Sequence, residues 1–230
     1  MKKIYHLIFV SIISSSVSAQ SHFCEDFDSY PNGTQIAQNS PDWNTWGELM
    51  TGASPSLDDA VVTDVQSSSG NNSLYLNEVA TPVPDIVLIF DTLQNFIYSG
   101  GVITPSPATP YISGTFDFLT MMYIVPGKTG YFNFQAENVP GTEWALEVNF
   151  DANGGVAMSN TLGTSFNCSY PGTGMWFEIK FHIDLSNNIW EVLIDGVSQG
   201  FFSNSINKIA SLDLYPGVGS EYYIDDVCYT

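Results

Sequence analysis

In the run from Trp176 to Asp184, apolar and polar residues alternate without a break from Phe177 on. Phe177, Ile179, Phe181 and Ile183 fall on one side, and Glu178, Lys180, His182 and Asp184 on the other. A period of two predicts a β-strand with one buried face. Ser186-Asn187-Asn188 then reads as a turn, Trp190 to Ile194 as a second strand and Asp195-Gly196 as another turn, so the segment predicts a hairpin. Further strands are predicted at Ser73–Asn77, Ile86–Phe90, Gly114–Val125, Gly130–Gln135, Glu143–Phe150, Ala210–Tyr215 and Tyr222–Tyr229. No stretch sustains a helical period. Many strands separated by Gly, Pro, Asn and Asp turns predict an all-β domain, an antiparallel sandwich or barrel. The reading adopted is a two-sheet jelly-roll sandwich.

The two ends of the chain match. Phe23-Cys24-Glu25-Asp26-Phe27 and Tyr223-Ile224-Asp225-Asp226-Val227-Cys228 each hold one cysteine and a pair of carboxylates in a β-type run. They are predicted to lie side by side, with Cys24 bridged to Cys228. Cys168 is left over and reads as a small buried apolar group. No Cys/His spacing suits zinc.

Before these strands comes Met1-Lys2-Lys3, an apolar run from Ile4 to Ile13 and the small residues Val17-Ser18-Ala19. This reads as a secretory signal peptide (1–19) cleaved after about Ala19, leaving one domain over 20–230. The apolar run is about half of the ~20 residues a spanning helix needs, so no membrane insertion is expected. An exported chain meets an oxidising compartment, which suits the bridge. A secreted or cell-surface protein is therefore expected.

Charge narrows the partners. Without the leader, three lysines stand against 24 acids, with no arginine, a formal charge of −21. Such a surface repels phosphate backbones and anionic lipid, so nucleic acid is disfavoured and uncharged ligands or cations are favoured. Two long segments read as loops, Ser40–Asp59 with Trp43 and Trp46, and Leu93–Ser113 with three prolines and Gly100-Gly101. Long loops on a rigid sandwich are often where binding is built.

Several of these residues resemble a known family. Trp176-Phe177-Glu178-Ile179-Lys180, followed by Asp184, Asn187-Asn188, Trp190 and Asp195-Gly196, resembles the hairpin of laminin-G-like and concanavalin A-like domains. Glu25-Asp26-Phe27-Asp28-Ser29-Tyr30 with Gly33, Val125-Pro126-Gly127-Lys128-Thr129-Gly130-Tyr131 and Tyr223-Ile224-Asp225-Asp226-Val227 look like a branch found in bacterial exported and surface proteins. The resemblance covers nearly all of 20–230. It implies a jelly-roll fold. It does not choose among lectins, adhesion modules and glycosidases.

The resemblance also implies a structural calcium ion, Ca2+, held by Asp225 or Asp226, by Glu25 or Asp26, and by a carbonyl near Gly70. Four carboxylates on two neighbouring strands would repel without a cation, and calcium takes hard oxygen ligands. The opposing reading turns these acids to opposite faces, into solvent.

Two sets of residues carry candidate chemistry. Glu143 and Glu147 have the outer spacing of the E-x-D-x-E strand of the laminarinase and lichenase family, a nucleophile and an acid/base. Ala145 stands where the middle acid belongs, and residues four apart on a flat strand are about 13 Å apart, whereas retaining hydrolysis wants carboxyls roughly 5–5.5 Å apart. The second set is a sugar-binding face. Tyr131, Asn133 and Gln135, then Glu143, Glu147 and Asn149, then Glu178, Lys180 and His182 point outward if Trp144, Leu146 and Val148 point to the core. Trp43, Trp46 or Tyr131 would supply the aromatic face on which a sugar stacks. The expected function is an exported, non-catalytic carbohydrate-binding or adhesion module whose partner is a neutral glycan or cell-surface polysaccharide. A glycoside hydrolase or polysaccharide lyase using Glu143 and Glu147, and a structural cell-surface protein, are the alternatives.

Overall fold

The computed structural model describes residues 23–90, 96–99, 102–105, 110–137 and 139–230. The expected leader and the remainder of the 93–113 loop lie outside the described residues.

The chain forms an antiparallel two-sheet β-sandwich. The eight-stranded sheet runs in the order Val197–Phe202, Ile189–Ile194, Trp176–Asp184, Thr115–Ile124, Glu221–Tyr229, Ser73–Asn77, Val61–Thr63, with Phe23–Glu25 also paired to Glu221–Tyr229. The seven-stranded sheet runs Ser165–Ser169, Gly155–Ser159, Trp144–Phe150, Gly130–Gln135, Ser211–Leu214, Ile86–Ile89, Trp43–Thr45. Consecutive strands cross repeatedly from one sheet to the other, the jelly-roll arrangement.

The period-two pattern sets which face is buried. Phe177, Ile179, Phe181 and Ile183 are fully buried, and their neighbours Glu178, Lys180 and His182 are not. From the opposite sheet Phe132, Phe134, Leu146 and Val148 meet them. The Phe134 ring sits edge-on to Phe181, 5.1 Å between centroids, and edge-on to Phe118 at 5.0 Å. Such edge-to-face pairs add to the burial of large apolar area.

The first and last strands pair with Cys24 opposite Cys228, and the two are disulfide-bonded across a sequence separation of 204. Among the described residues no helix is long and apolar enough to cross a membrane.

Both segments read as loops contain regular structure. In 40–59 a short strand, Trp43–Thr45, completes the edge of the seven-stranded sheet. A helix, Trp46–Thr51, follows it. Thr45 caps the helix, its hydroxyl accepting from Glu48 N at 3.2 Å, and Gly52 ends it in the left-handed region at φ 67°. Six residues are too few to show a helical period, which is why the pattern did not reveal it. The 93–113 segment holds two paired strands, Phe96–Ser99 and Val102–Pro105.

Candidate functional site

The outer face of the seven-stranded sheet carries polar residues in register. Tyr131 lies opposite Asn149, Asn149 opposite Ala157, and Ala157 opposite Asn167. Two residues along, Asp213 lies opposite Asn133, Asn133 opposite Glu147, and Glu147 opposite Ser159. Residues directly opposite across an antiparallel pair share a face, so these two rungs form one polar floor.

At one end the floor is walled by the helix Trp46–Thr51. Its Leu49 packs on Val87 and Ile89 of the sheet, which leaves Trp46 at the edge. The Trp46 ring stacks beside Trp144, 6.3 Å between centroids and 23° from parallel. Two hollows open on this face. The larger, about 650 Å³, is lined by Thr129, Tyr131, Asn149, Asn167 and Tyr215 among others. The smaller, about 250 Å³, is lined by Trp46, Asp85, Tyr131, Asn133, Trp144, Glu147, Asp213 and Tyr215. Tyr131 and Tyr215 belong to both, so the hollows adjoin as one groove.

Trp144 reaches this face through an irregularity. Simple alternation would bury it with Leu146. Instead the pairing shifts between them: Trp144 lies opposite Gln135 and Leu146 opposite Phe134, leaving Ala145 as an extra residue. This β-bulge turns Trp144 outward beside Glu147 and buries Ala145 completely. The bulge is held from below. The side-chain amides of Asn160 and Asn204 both donate to the Ala145 carbonyl at 3.1 Å, and they are tied to each other at 2.7 Å.

The same bulge separates the two glutamates. Glu147 lines the smaller hollow and accepts from the Tyr131 hydroxyl at 3.3 Å. Glu143 instead forms an ion pair with Lys208, 2.9 Å from its ammonium, and Lys208 also holds Glu137. The two carboxylates therefore do not meet in one site.

Other expected groove residues fall elsewhere. Trp43 is in the core, 1% exposed, with its ring 5.8 Å from Phe27. His182 is on the other sheet, where its Nδ1 contacts Asp117 at 2.6 Å. Glu178 and Lys180 share that sheet, so of the three expected strands only those of Tyr131 and Glu147 are neighbours. Gln135 and Asn133 face the groove side but are buried. Gln135 accepts from Gly141 N at 2.9 Å and donates to Asn133, which donates to Asp213 at 2.6 Å. Of these two, Asn133 lines the smaller hollow.

Asp85, Asp213, Tyr215 and Asn167 were not foreseen. Asp213 and Tyr215 had a signal: they share a phase in a strand whose other phase is Leu212 and Leu214. Asp85, just before the strand Ile86–Ile89, had none. Asp85 and Asp213 interact directly, and burial raises the pKa of both. Their mutual repulsion raises Asp85 further, while Asn133 draws Asp213 back. Such a pair titrates as a unit and keeps one proton more firmly than ordinary carboxyls do. Burial likewise pushes the Cys168 thiol up to about 11, which leaves it a poor nucleophile.

The acids at the chain ends serve the backbone. Asp225 is fully buried, and its carboxylate accepts from Ser68 N at 2.8 Å, Ser69 N at 3.1 Å and Asp226 N at 2.8 Å. Asp226 accepts from the Ser69 hydroxyl at 2.7 Å, and Glu25 accepts from Phe27 N at 2.9 Å. Asp26 accepts from Asp28 N at 3.1 Å. Asp28 holds the same loop through Asn71 N at 2.7 Å and Asn72 N at 3.0 Å. It also lies so close to Gly70 that a Cβ there would stand 1.5 Å from its Oδ2. Among the described residues no three Asp, Glu, His or Cys side chains are placed to hold one metal ion.

No family model matches the chain, and no curated protein matches it in sequence. Among solved structures a sialidase matches with a TM-score of 0.58 and 12% identity, over 91% of this chain and 18% of its own. The chain thus spans about a fifth of that sialidase's length. Sheep galectin-11 in complex with glycerol matches at TM-score 0.41 and 13% identity, over 53% of this chain and 95% of its own. The galectin LEC-6 of Caenorhabditis elegans matches at 0.40 and 9%, over 53% and 88%. The likeness to the sialidase segment is one of fold.

Proposed function

We propose that this protein is exported and binds a glycan, without cleaving it, in the groove on the seven-stranded sheet. The observation that carries this reading is the lining of that groove. Tyr131 and Tyr215 stand where the two hollows join, Trp46 and Trp144 stand at one end, and Asn149 and Asn167 supply amides along the floor. Sugars present apolar ring faces and hydroxyl edges, so a site for them needs both flat aromatic surface and convergent hydrogen-bonding groups. The disulfide supports export, because such bonds persist in oxidising compartments. Separation of Glu143 from Glu147 supports binding over hydrolysis, since a retaining glycosidase needs its two carboxyls together.

A screen of plant, algal and bacterial glycans tests this reading. Binding is expected, and Tyr215→Ala should weaken it about threefold to tenfold, the scale of one lost aromatic contact. Tyr215 is 42% exposed, so its removal leaves the core intact. Reducing ends released from any bound glycan would replace the binding reading with an enzymatic one. No binding and no release would leave a structural role.

Calcium belongs to this proposal as a structural ion held by Asp225 or Asp226, by Glu25 or Asp26, and by a carbonyl near Gly70. A ligand that binds only the folded state raises the melting temperature. Added calcium should raise it and EDTA lower it, and an unchanged curve in both removes the ion from the account.

A further inference from the structure

At the Trp46 end of the groove the buried carboxyl of Asp213 lies against the partly buried carboxyl of Asp85. Asp213 is 4% exposed, and its Oδ1 is buried with no hydrogen-bond partner. The Oδ1 of Asp85 is in the same state. The other oxygen of Asp213 accepts from Asn133, so the deficit falls on one side. Among the described residues, the ionisable groups acting on the pair are acids or phenols: Asp58 from the turn before the sheet, and Tyr222 and Tyr131, whose hydroxyls feel Asp213 from either sheet. A buried acceptor without a donor is costly. It is relieved by a shared proton or by a cationic donor that enters from the groove.

The walls favour the cation. Trp46, Trp144, Tyr131 and Tyr215 surround the same 250 Å³ hollow, and Glu147 adds a third carboxylate at its rim. Aromatic faces attract ammonium groups, and more strongly where water is excluded. An ammonium offers three donors, and Asp85, Asp213 and Glu147 all line the hollow.

We propose that the Asp85–Asp213 end of the groove is a subsite for a protonated amine carried by the glycan, the chemistry of an unacetylated amino sugar. This rests on the groove being a glycan site. It narrows the ligand class from neutral sugars to amino sugars. In the free protein the pair shares one proton. On binding, the ammonium takes its place and that proton leaves to solvent, so one positive charge replaces another.

The probes are a β-1,4-linked glucosamine trimer and its fully N-acetylated counterpart, which share a backbone and differ in charge. Calorimetry near neutral pH in two buffers of different ionisation heat counts protons released. The glucosamine trimer should bind at least tenfold more tightly, with close to one proton released. Asp85→Asn and Asp213→Asn should each abolish the preference, and Glu191→Gln, an acid of the other sheet, should keep it. Equal binding of both trimers, preference for the acetylated one, or no proton release overturns the subsite. So does an equal loss in Glu191→Gln, which would reveal bulk attraction to an acidic surface. If an Asn variant fails to fold, the wild-type proton count decides alone. Neutral glycans bound with neither trimer bound would sink the amine subsite and leave the groove reading standing. No glycan of any class bound would sink both.

Discussion

Asp225 shows how much one residue can hold. Its carboxylate, fully buried, takes three backbone N–H groups from two segments far apart in sequence. Asp225→Ala removes the acceptor and leaves the Ser68 and Ser69 amides unpaired, which should cost about 3 kcal/mol. Urea unfolding checks this, and a loss under about 0.5 kcal/mol would show the loop is held by other means. Asp85 predicts the opposite kind of change. Its pKa is raised in the folded state above the ordinary carboxyl value of 3.8. Between those two values the folded protein binds more protons than the unfolded one, so stability falls as pH rises, and levels off above the raised value. Glu25, Asp59 and Asp225 are raised as well and add to the same slope. Asp85→Asn should therefore shallow the fall in melting temperature from about pH 4 upward without abolishing it. An unchanged slope would mean that the carboxyl pair is not strained.

At the scale of elements, what the sequence made legible follows from periodicity. The long strands, Thr115–Ile124, Gly130–Gln135 and Trp176–Asp184, lie where alternation placed them. Short or polar strands such as Ser165–Ser169 and Val197–Phe202 gave too few alternations to be seen. The bulge at Ala145 was illegible for a different reason. Its cause lies in Asn160 and Asn204, distant in sequence, whose amides fix the Ala145 carbonyl. That single extra residue decided the site: it brought Trp144 to the groove and set Glu143 apart from Glu147. His182 was misplaced because alternation gives a face within a strand and says nothing of which sheet holds the strand. Asn204→Ala should loosen the bulge, lower stability by about 2–3 kcal/mol through unpaired buried partners, and weaken glycan binding together with Trp144 order. Full retention of binding would detach the bulge from the site.

The sandwich is closed by its first and last described strands. The Cys24–Cys228 bond spans 204 residues of sequence and lies in a paired first and last strand. Long loops gain most in the chain-entropy view of such bonds, and replacing both cysteines by serine should lower unfolding free energy by about 2–5 kcal/mol. Paired strands would survive that change, so the fold should remain and its melting temperature drop. The two sheets then divide the work: one presents His182, Lys180 and Asp117 in surface polar contacts, and the other presents the groove. The most direct measurement of this division is glycan affinity for two variants side by side, Tyr215→Ala on the groove and His182→Ala on the far sheet. The account predicts a threefold to tenfold loss for the first and an unchanged affinity for the second. Loss confined to His182→Ala, with Tyr215→Ala binding like the wild type, would contradict it.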